Sequence, residues 1–405
     1  MSKQNSPLVL GTERISKLLT QYAIPAIIAM TASSLYNMAD SIFIGHGVGP
    51  LAISGLALTF PLMNLAAAFG SLVGVGASTL VSVKLGQKDY EGANKVLGNV
   101  LVLNVVLGLA FTLVFMLLLD PILYFFGASE NTISYARDYM NVILIGNVIT
   151  HMYLGLNAVL RSSGFPKLAM YATLASVVIN CVLNPLFIFG FGWGIKGSAW
   201  ATVISQVISL TGQLIHFSRP KELLHFKKGI YRLKSEIAKG ILYIGMSPFL
   251  MNLCACLIVI LINRGLKEHG GDMAIGAYGI VNRVVFLFIM IIMGFNQGMQ
   301  PIAGYNFGAR QYSRVTEVTK LTMKWAIGVA TTGFLLCQLF PSVIVRMFTT
   351  DPELIEAAVY GLHIVFAVFP IVGFQMVATN FFLSIGMSKN CLLYTSPSPR
   401  DMRRS

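Results

Sequence analysis

The sequence predicts an all-α membrane protein of two pseudo-symmetric six-helix lobes, with about ten of the twelve expected helices present. Composition, an internal repeat and the placement of basic residues each point to it. Of 405 residues, 55% are hydrophobic and only 11% charged, with mean hydropathy +0.72. Soluble domains carry roughly a quarter charged residues, and runs of about 20 apolar residues cross a bilayer as a helix. The chain also repeats itself. Leu85-Gly86-Gln87-Lys88-Asp89-Tyr90 recurs as Phe307-Gly308-Ala309-Arg310-Gln311-Tyr312 (308 − 86 = 222), and Leu160 to Lys167 recurs at the same offset as Phe382 to Lys389. Pro25 and Pro248, each inside an apolar run, stand 223 apart.

Apolar runs predict helices over 16–44, 51–82, 95–119, 134–159, 168–190 and 195–217 in the first copy, and over 239–264, 273–303, 315–341 and 355–385 in the second. The connections holding Lys84, Lys88 and Lys95, Arg161 and Lys167, Arg219 through Lys239, and Arg310 through Lys324 are basic. Those between are poor in Lys and Arg or balance them with acids. Basic loops favour the cytoplasmic side, so the N-terminus is expected inside, with both copies in the same orientation. The start lacks a signal peptide's short apolar core and cleavage site, so the first helix is expected to stay as an anchor. Residues 1–225 form the expected first lobe and 226–390 the second, which ends two helices short. Residues 391–405 (CLLYTSPSPRDMRRS) contain no apolar span. They read as translated adapter sequence on a truncated frame, or else as a short cytoplasmic tail.

The net charge of +13 lies in short loops between spans, which fits membrane topology and not a nucleic-acid footprint. The Arg219–Lys239 run is a solvated topology signal that could also attract anionic membrane lipid. Cys181, Cys254, Cys256, Cys337 and Cys391 show no metal-ligand spacing and read as small apolar fillers.

Polar residues inside apolar spans are costly and mark functional sites. Asp40 is the only acid well inside any predicted span. Ser33, Tyr36, Asn37 and Asp40 fall at i, i+3, i+4 and i+7, one face of the first helix. Asn147, Thr150, Tyr153 and Asn157 line the fourth helix, with His151 among them. Thr173, Ser176, Asn180 and Asn184 line the fifth, and Ser198, Thr202, Ser205, Ser209 and Gln213 the sixth. One such stripe reads as hydrogen-bonding glue between helices; four together, one of them with the lone carboxylate, point to a hydrated cavity. Carboxylate, amide and hydroxyl oxygens suit Na⁺ or a proton better than a soft metal. Arg283 lies about ten residues into the eighth helix, without an intramembrane acid in its own copy to pair with, and is expected at a cavity with a link to Asp40. Asn296, Gln297 and Gln300 are expected to satisfy nearby backbone or water. His151 and His363 stand apart from other histidines, so core or cavity-lining roles are expected in place of metal binding.

A duplicated apolar half with a polar interior is the pattern of a transporter with a substrate path between two bundles. The segment Tyr36 to Gly45, then Gly49 and Leu51 to Gly55, resembles the first-helix motif of the multidrug and toxic compound extrusion (MATE) family. The likeness continues through LGQKDYEGA, LRSSGFPK, INCVLNPLFIFGFG, GIKGSAWATVISQ and QPIAGYNFGAR, covering residues 11–390. It is nearest the DinF-like and Staphylococcus-type exporters. The resemblance implies a plasma (inner) membrane antiporter of bacterial type, exporting drugs and organic cations in exchange for Na⁺ or H⁺. No cofactor beyond that coupling ion, no nucleic acid and no obligate protein partner are implied. By position, Asp40 matches the family's coupling carboxylate. Asn180, Thr202 and the region of Ser198 match its cation surroundings, Tyr36 and Asn157 cavity residues, and Arg283 an arginine of the DinF-like branch. This chain departs at Leu183-Asn184-Pro185, where much of the family has Leu-Asp-Pro; the amide of Asn184 cannot take up a proton or fully neutralise Na⁺. The coupling set is thus Asp40, Asn180, Asn184, Ser198 and Thr202. The cavity set is Tyr36, Asn37, Asn147, His151, Tyr153, Asn157 and Arg283. The alternatives are a flippase for lipid-linked precursors, expected to carry more cleft cations, and a membrane-embedded enzyme or receptor. An enzyme would need acids and histidines clustered at one depth.

Overall fold

The computed structural model describes residues 7–387 and, within them, every side chain except 7, 8, 37, 38, 50, 256, 259, 260, 263, 264, 266–273 and 275. The expected tail at 391–405 lies outside the described residues. A 3-10 turn, Pro7–Gly11, precedes the helices. They are α1 (Ile15–Gly47), α2 (Pro50–Gly86), α3 (Tyr90–Leu117), α4 (Leu119–Phe125), α5 (Ile133–Ile145), α6 (Asn147–Ser162) and α7 (Pro166–Pro185). After these come α8 (Gly194–Phe217), α9 (Ser235–Gly308), α10 (Tyr312–Leu339), α11 (Pro341–Arg346), α12 (Pro352–Ala367) and α13 (Phe369–Ser384). There is no strand among the described residues. Six helices are long and apolar enough to cross a membrane, or eight if each bent pair is one span.

Prolines and caps set several starts. Pro50, Pro166, Pro341 and Pro352 occupy first-turn positions, where the missing N–H costs nothing. Asp89 caps α3 by accepting from the Gly92 N–H at 2.8 Å, and Lys84 Nζ donates to the same carboxylate at 2.7 Å.

The expected fourth and tenth helices are each broken. The chain bends by 55° between α5 and α6 and by 49° between α12 and α13. At the first break Gly146 has ψ −3°, well off the helical value, and the Val203 side chain fills the place of its absent Cβ, 2.4 Å away. At the second, Pro370 stands two residues past Val368 and withholds a donor from the ladder. The break residues Gly146 and Val368 are 222 apart, as are Leu118 and Phe340, which separate α3 from α4 and α10 from α11. Lys88 (φ 61°) and Arg310 (φ 57°) are the non-glycine residues with left-handed backbone among the described residues. They too are 222 apart, as are Gly164 (φ 100°) and Gly386 (φ 81°).

The expected connection at 264–272 differs from expectation, because the helical backbone of α9 runs unbroken through it. The segment contains no proline, and each of its glycines costs a helix only about 1 kcal/mol. The helix nevertheless doubles back. A straight run from Ile241 to Gln300 would measure about 88 Å. Yet the Ile241 carbonyl lies against Gly76, and Gln300 Nε2 donates to Thr79 Oγ1 at 3.0 Å, one turn along α2. The outward half packs antiparallel to α2, with Phe249 on Phe69 at 4.8 Å between ring centroids. The returning half runs beside α1 and the end of α2. Asn296 Nδ2 donates to the Met376 carbonyl at 3.3 Å. A large apolar cluster joins both copies, from Leu18 and Val73 to Ile292 and Phe366.

Candidate functional site

Three helices of the first copy converge on Asp40, which is 6% exposed. α1 supplies Tyr36 and Asp40, one turn apart. α7 supplies Asn180 and Asn184, also one turn apart. α8 supplies Ser198, Thr202 and Ser205. At the end of α7, Pro185 has no N–H to offer the carbonyl of Cys181. The backbone relaxes into a π turn, Leu186–Gly190, closed by the Phe191 N–H donating to the Leu186 carbonyl at 3.0 Å. This wider turn follows directly on Asn184 and gives the chain room to reverse into α8.

Asn184 Nδ2 and Ser198 Oγ both donate to Asp40 Oδ1. A chain of hydrogen bonds leads away from the carboxylate. Asn184 Nδ2 also reaches Asn180 Oδ1 at 3.4 Å, Asn180 Nδ2 donates to Thr202 Oγ1 at 3.1 Å, and the Tyr36 hydroxyl meets Thr202 Oγ1 at 2.7 Å. Asn184 Oδ1 is buried without a hydrogen-bond partner, leaving an acceptor free beside the carboxylate. No ion pair involves Asp40 among the described residues.

The chain ends at a cavity. Tyr36 and Thr202 line a space of about 270 Å³ together with Ser33, Asn147, Thr150, Tyr153, Thr173, Ser176, Ser205 and Gln206, against an apolar wall including Met63, Ile143 and Leu154. Thr150 Oγ1 donates to Gln206 Oε1 at 2.5 Å, and Ser176 to Ser205 at 3.4 Å. The cavity therefore presents hydroxyls and amides within an apolar frame. It is sized for a small organic molecule or several waters, with Asp40 set behind one wall.

Of the expected coupling residues, Asp40, Asn180, Asn184, Ser198 and Thr202 meet in this cluster. Of the expected cavity residues, Tyr36, Asn147 and Tyr153 line the space. His151 stands behind it, fully buried, its Nε2 2.9 Å from the Ala66 carbonyl. Asn157 lies deeper, donating to the Ala169 carbonyl at 2.9 Å and accepting from Arg161 at 2.5 Å. It organises the inner end of α6 instead of lining the cavity. Arg283 is exposed on α9, away from the cluster, so the expected link to Asp40 is not made. The Asn37 side chain lies outside the described ones. His363 Nδ1 pairs with Gln338 Oε1 at 2.6 Å, in the other copy. Sequence reasoning missed Gln206 and Tyr139. Gln206 follows Ser205, off the stripe of α8. Tyr139 is 1% exposed on α5 and lies near Asp40; it falls within the predicted fourth helix but ahead of the polar stripe that begins there at Asn147.

A family model described as MatE matches residues 25–186 and 244–396. The multidrug export protein MepA of Staphylococcus aureus (strain N315) is 29% identical over 383 residues, covering 94% of this chain and 84% of that protein. Its namesake in Staphylococcus haemolyticus (strain JCSC1435) is 29% identical over 383 residues, covering 94% and 83%. A solved structure described as the outward-facing conformation of a multidrug resistance MATE family transporter of the MOP superfamily superposes with a TM-score of 0.90 at 24% identity. It covers 97% of this chain and 87% of that one.

Proposed function

The chain belongs to the MatE family, and from that premise we propose that it is a multidrug efflux transporter driven by a gradient of Na⁺ or H⁺. The observation that carries this reading is Asp40, a buried carboxylate held by two neutral donors, Asn184 and Ser198, one hydrogen-bonded chain away from a polar cavity. A carboxylate in such a place is expensive unless its charge is balanced. With no cationic side chain paired to it among the described residues, Asp40 takes up a proton or a small cation. The oxygens beside it are hard donors, and the free Asn184 Oδ1 adds a lone pair where a cation needs one, so the residues fit either ion.

The cavity receives organic compounds, cationic ones among them, with apolar contacts from Met63 and Leu154 and orientation from Tyr36, Asn147 and Thr150. Occupancy of Asp40 changes the hydrogen bonds that tie α1 to α7 and α8, and so favours one packing of these helices over another. Residues 1–225 and 226–390 act as two lobes whose shared cleft opens alternately to either side. The basic connections support a reading with the N-terminus in the cytoplasm of a bacterial cell and the bundle in its inner membrane. No nucleic acid, enzyme chemistry or obligate protein partner enters this reading.

The test is efflux of a fluorescent cationic dye from proteoliposomes holding the full chain, with Na⁺ and pH gradients imposed separately. Dye movement that follows one of the gradients is expected. Dye movement indifferent to both would sink the antiport reading.

A further inference from the structure

A second recess lies on the outer surface of the bundle, between the start of α1 and the start of α7, with a volume of about 620 Å³. Its two ends differ in chemistry. Arg14, Lys17 and Lys167 stand at one end, and Ile24, Ile28 and Tyr171 at the other, with no acid in the lining. The apolar end faces outward: Ile24 is 49% exposed, Ile28 43% and Tyr171 58%. Lys17 is paired with Glu13 at 2.9 Å. Arg14 and Lys167 have no ion-pair partner among the described residues. The recess thus keeps net positive charge after Glu13 is counted. The basic end belongs to the side of the bundle that carries the basic connections, where a bilayer's headgroups would lie. From Lys17 to Ile28 the wall of α1 runs about 16 Å, the reach of a headgroup and the upper part of an acyl chain.

An adjoining recess shares Gln21, Lys167 and Tyr171 and contains Arg219 and Glu222. Glu222 Oε2 is buried there without a partner. That carboxylate opposes an anion in the adjoining recess and leaves the Arg14 side as the place for one.

We propose that this groove is a binding site for an anionic glycerophospholipid. Its phosphate is held by Arg14, Lys17 and Lys167, and its acyl chain lies on Ile24, Ile28 and Tyr171. The site is separate from the Asp40 cavity, and binding can be read without transport, so it stands or falls independently of the proposed function.

The test uses the full chain in an uncharged detergent, with thermal unfolding followed as dioleoyl phosphatidylglycerol, dioleoyl phosphatidylcholine or inorganic phosphate is added. Phosphatidylglycerol is expected to raise the unfolding temperature saturably, and the other two to have little effect. R14Q/K17Q/K167Q should move half-saturation upward by about tenfold or more. K221Q/K227Q/K228Q, with the same charge removed from the exposed α8–α9 connection, should bind as the parent does. Ile28→Trp keeps every charge but fills the groove, and should weaken binding as well. Unfolding in detergent alone reports whether each variant is folded, and Ile28→Trp decides the matter if the triple variant is not. Equal loss in the two triple variants, unaltered binding in Ile28→Trp, or an equal response to inorganic phosphate would each overturn the proposal.

Discussion

Gly86 and Gly308 make the same contact in reverse. A Cβ on Gly86 would stand 1.9 Å from the Tyr305 carbonyl oxygen, and one on Gly308 2.1 Å from the Val83 carbonyl oxygen. Gly86 and Gly308 are 222 apart, and so are Val83 and Tyr305. The contact is therefore isologous: each copy presses a glycine onto the backbone of the other across a pseudo-two-fold axis. Gly76 on α2 against Gly245 on α9, and Gly298 on α9 against Ala23 on α1, repeat the relation, since 76 and 298, and 23 and 245, are each 222 apart. In a bilayer such close backbone approach stands in for a hydrophobic drive between helices.

A side chain at either glycine must therefore push the two copies apart. Gly86→Val and Gly308→Val should each cost about 1–3 kcal/mol, by similar amounts, and lower dye export more than they lower expression. Gly212→Ala meets nothing within 4 Å and should be neutral or slightly stabilising. Thermal unfolding of the three variants in one detergent checks this, and a neutral Gly86→Val would remove the interface argument.

Asp40→Asn keeps the size of the side chain and should abolish gradient-driven dye export, at least about tenfold, while leaving the unfolding temperature little changed. Asp40→Ala should unfold more easily as well. It strands the Asn184 amide and the Ser198 hydroxyl, and a buried donor left unpaired costs about 1–3 kcal/mol. Ser198→Ala removes one of the two donors and should give an intermediate loss. Efflux and unfolding measured on the same preparations separate the two effects.

Arg314 ties the N-terminal segment to the second copy. Its Nη2 donates to the Leu10 carbonyl at 3.1 Å and the Glu13 carbonyl at 2.6 Å, while Nε donates to Asn306 Oδ1 at 2.9 Å. A lysine cannot reproduce this fork. Arg314→Lys and Arg314→Ala should both lose about 1.5–3 kcal/mol and expose residues 7–14 to faster proteolysis. An N-terminus cut no faster than in the parent would count against the clasp.

Arg137 donates to both oxygens of Asp120, each at 2.8 Å, at the end of the bundle away from the basic connections. The guanidinium holds the Asp120 carboxyl below its ordinary value of 3.8. A lowered folded-state value means that the pair stabilises the fold at pH above 3.8 and that this help is lost as pH falls further, through the folded-state value. Both side chains are more than a third exposed, so the effect is small and screened by salt. Asp120→Asn should flatten the acid side of an unfolding-against-pH curve below about pH 4, most clearly at low ionic strength, and leave neutral pH nearly unchanged.

The helix pattern was legible because membrane spans announce themselves by apolar length, and the repeat because equivalent turns need equivalent residues. Gly164 and Gly386 both take left-handed backbone, and each stands at the same step of its copy. The bends at Gly146 and Val368 were not legible, since neither interrupts the apolar run. The unbroken backbone of α9 was hidden for the opposite reason: its polar residues look like a loop. In the site, the stripes of α1, α7 and α8 could be read at helical spacing. Which members face Asp40 could not, because that depends on the rotation of three helices about one another.

The sequence by itself determined an all-α membrane protein, its duplication, and the one acid well inside its predicted spans, since these follow from apolar length, spacing and the cost of charge in lipid. Tertiary structure alone decided the partners. It set Asn184 and Ser198 on Asp40, turned His151 and Asn157 away from the cavity, and left Arg283 unlinked to the carboxylate. Hydrogen-bond partners across helices are fixed by packing angle and close backbone approach, at contacts such as Gly86 on Tyr305, and no linear pattern records those distances.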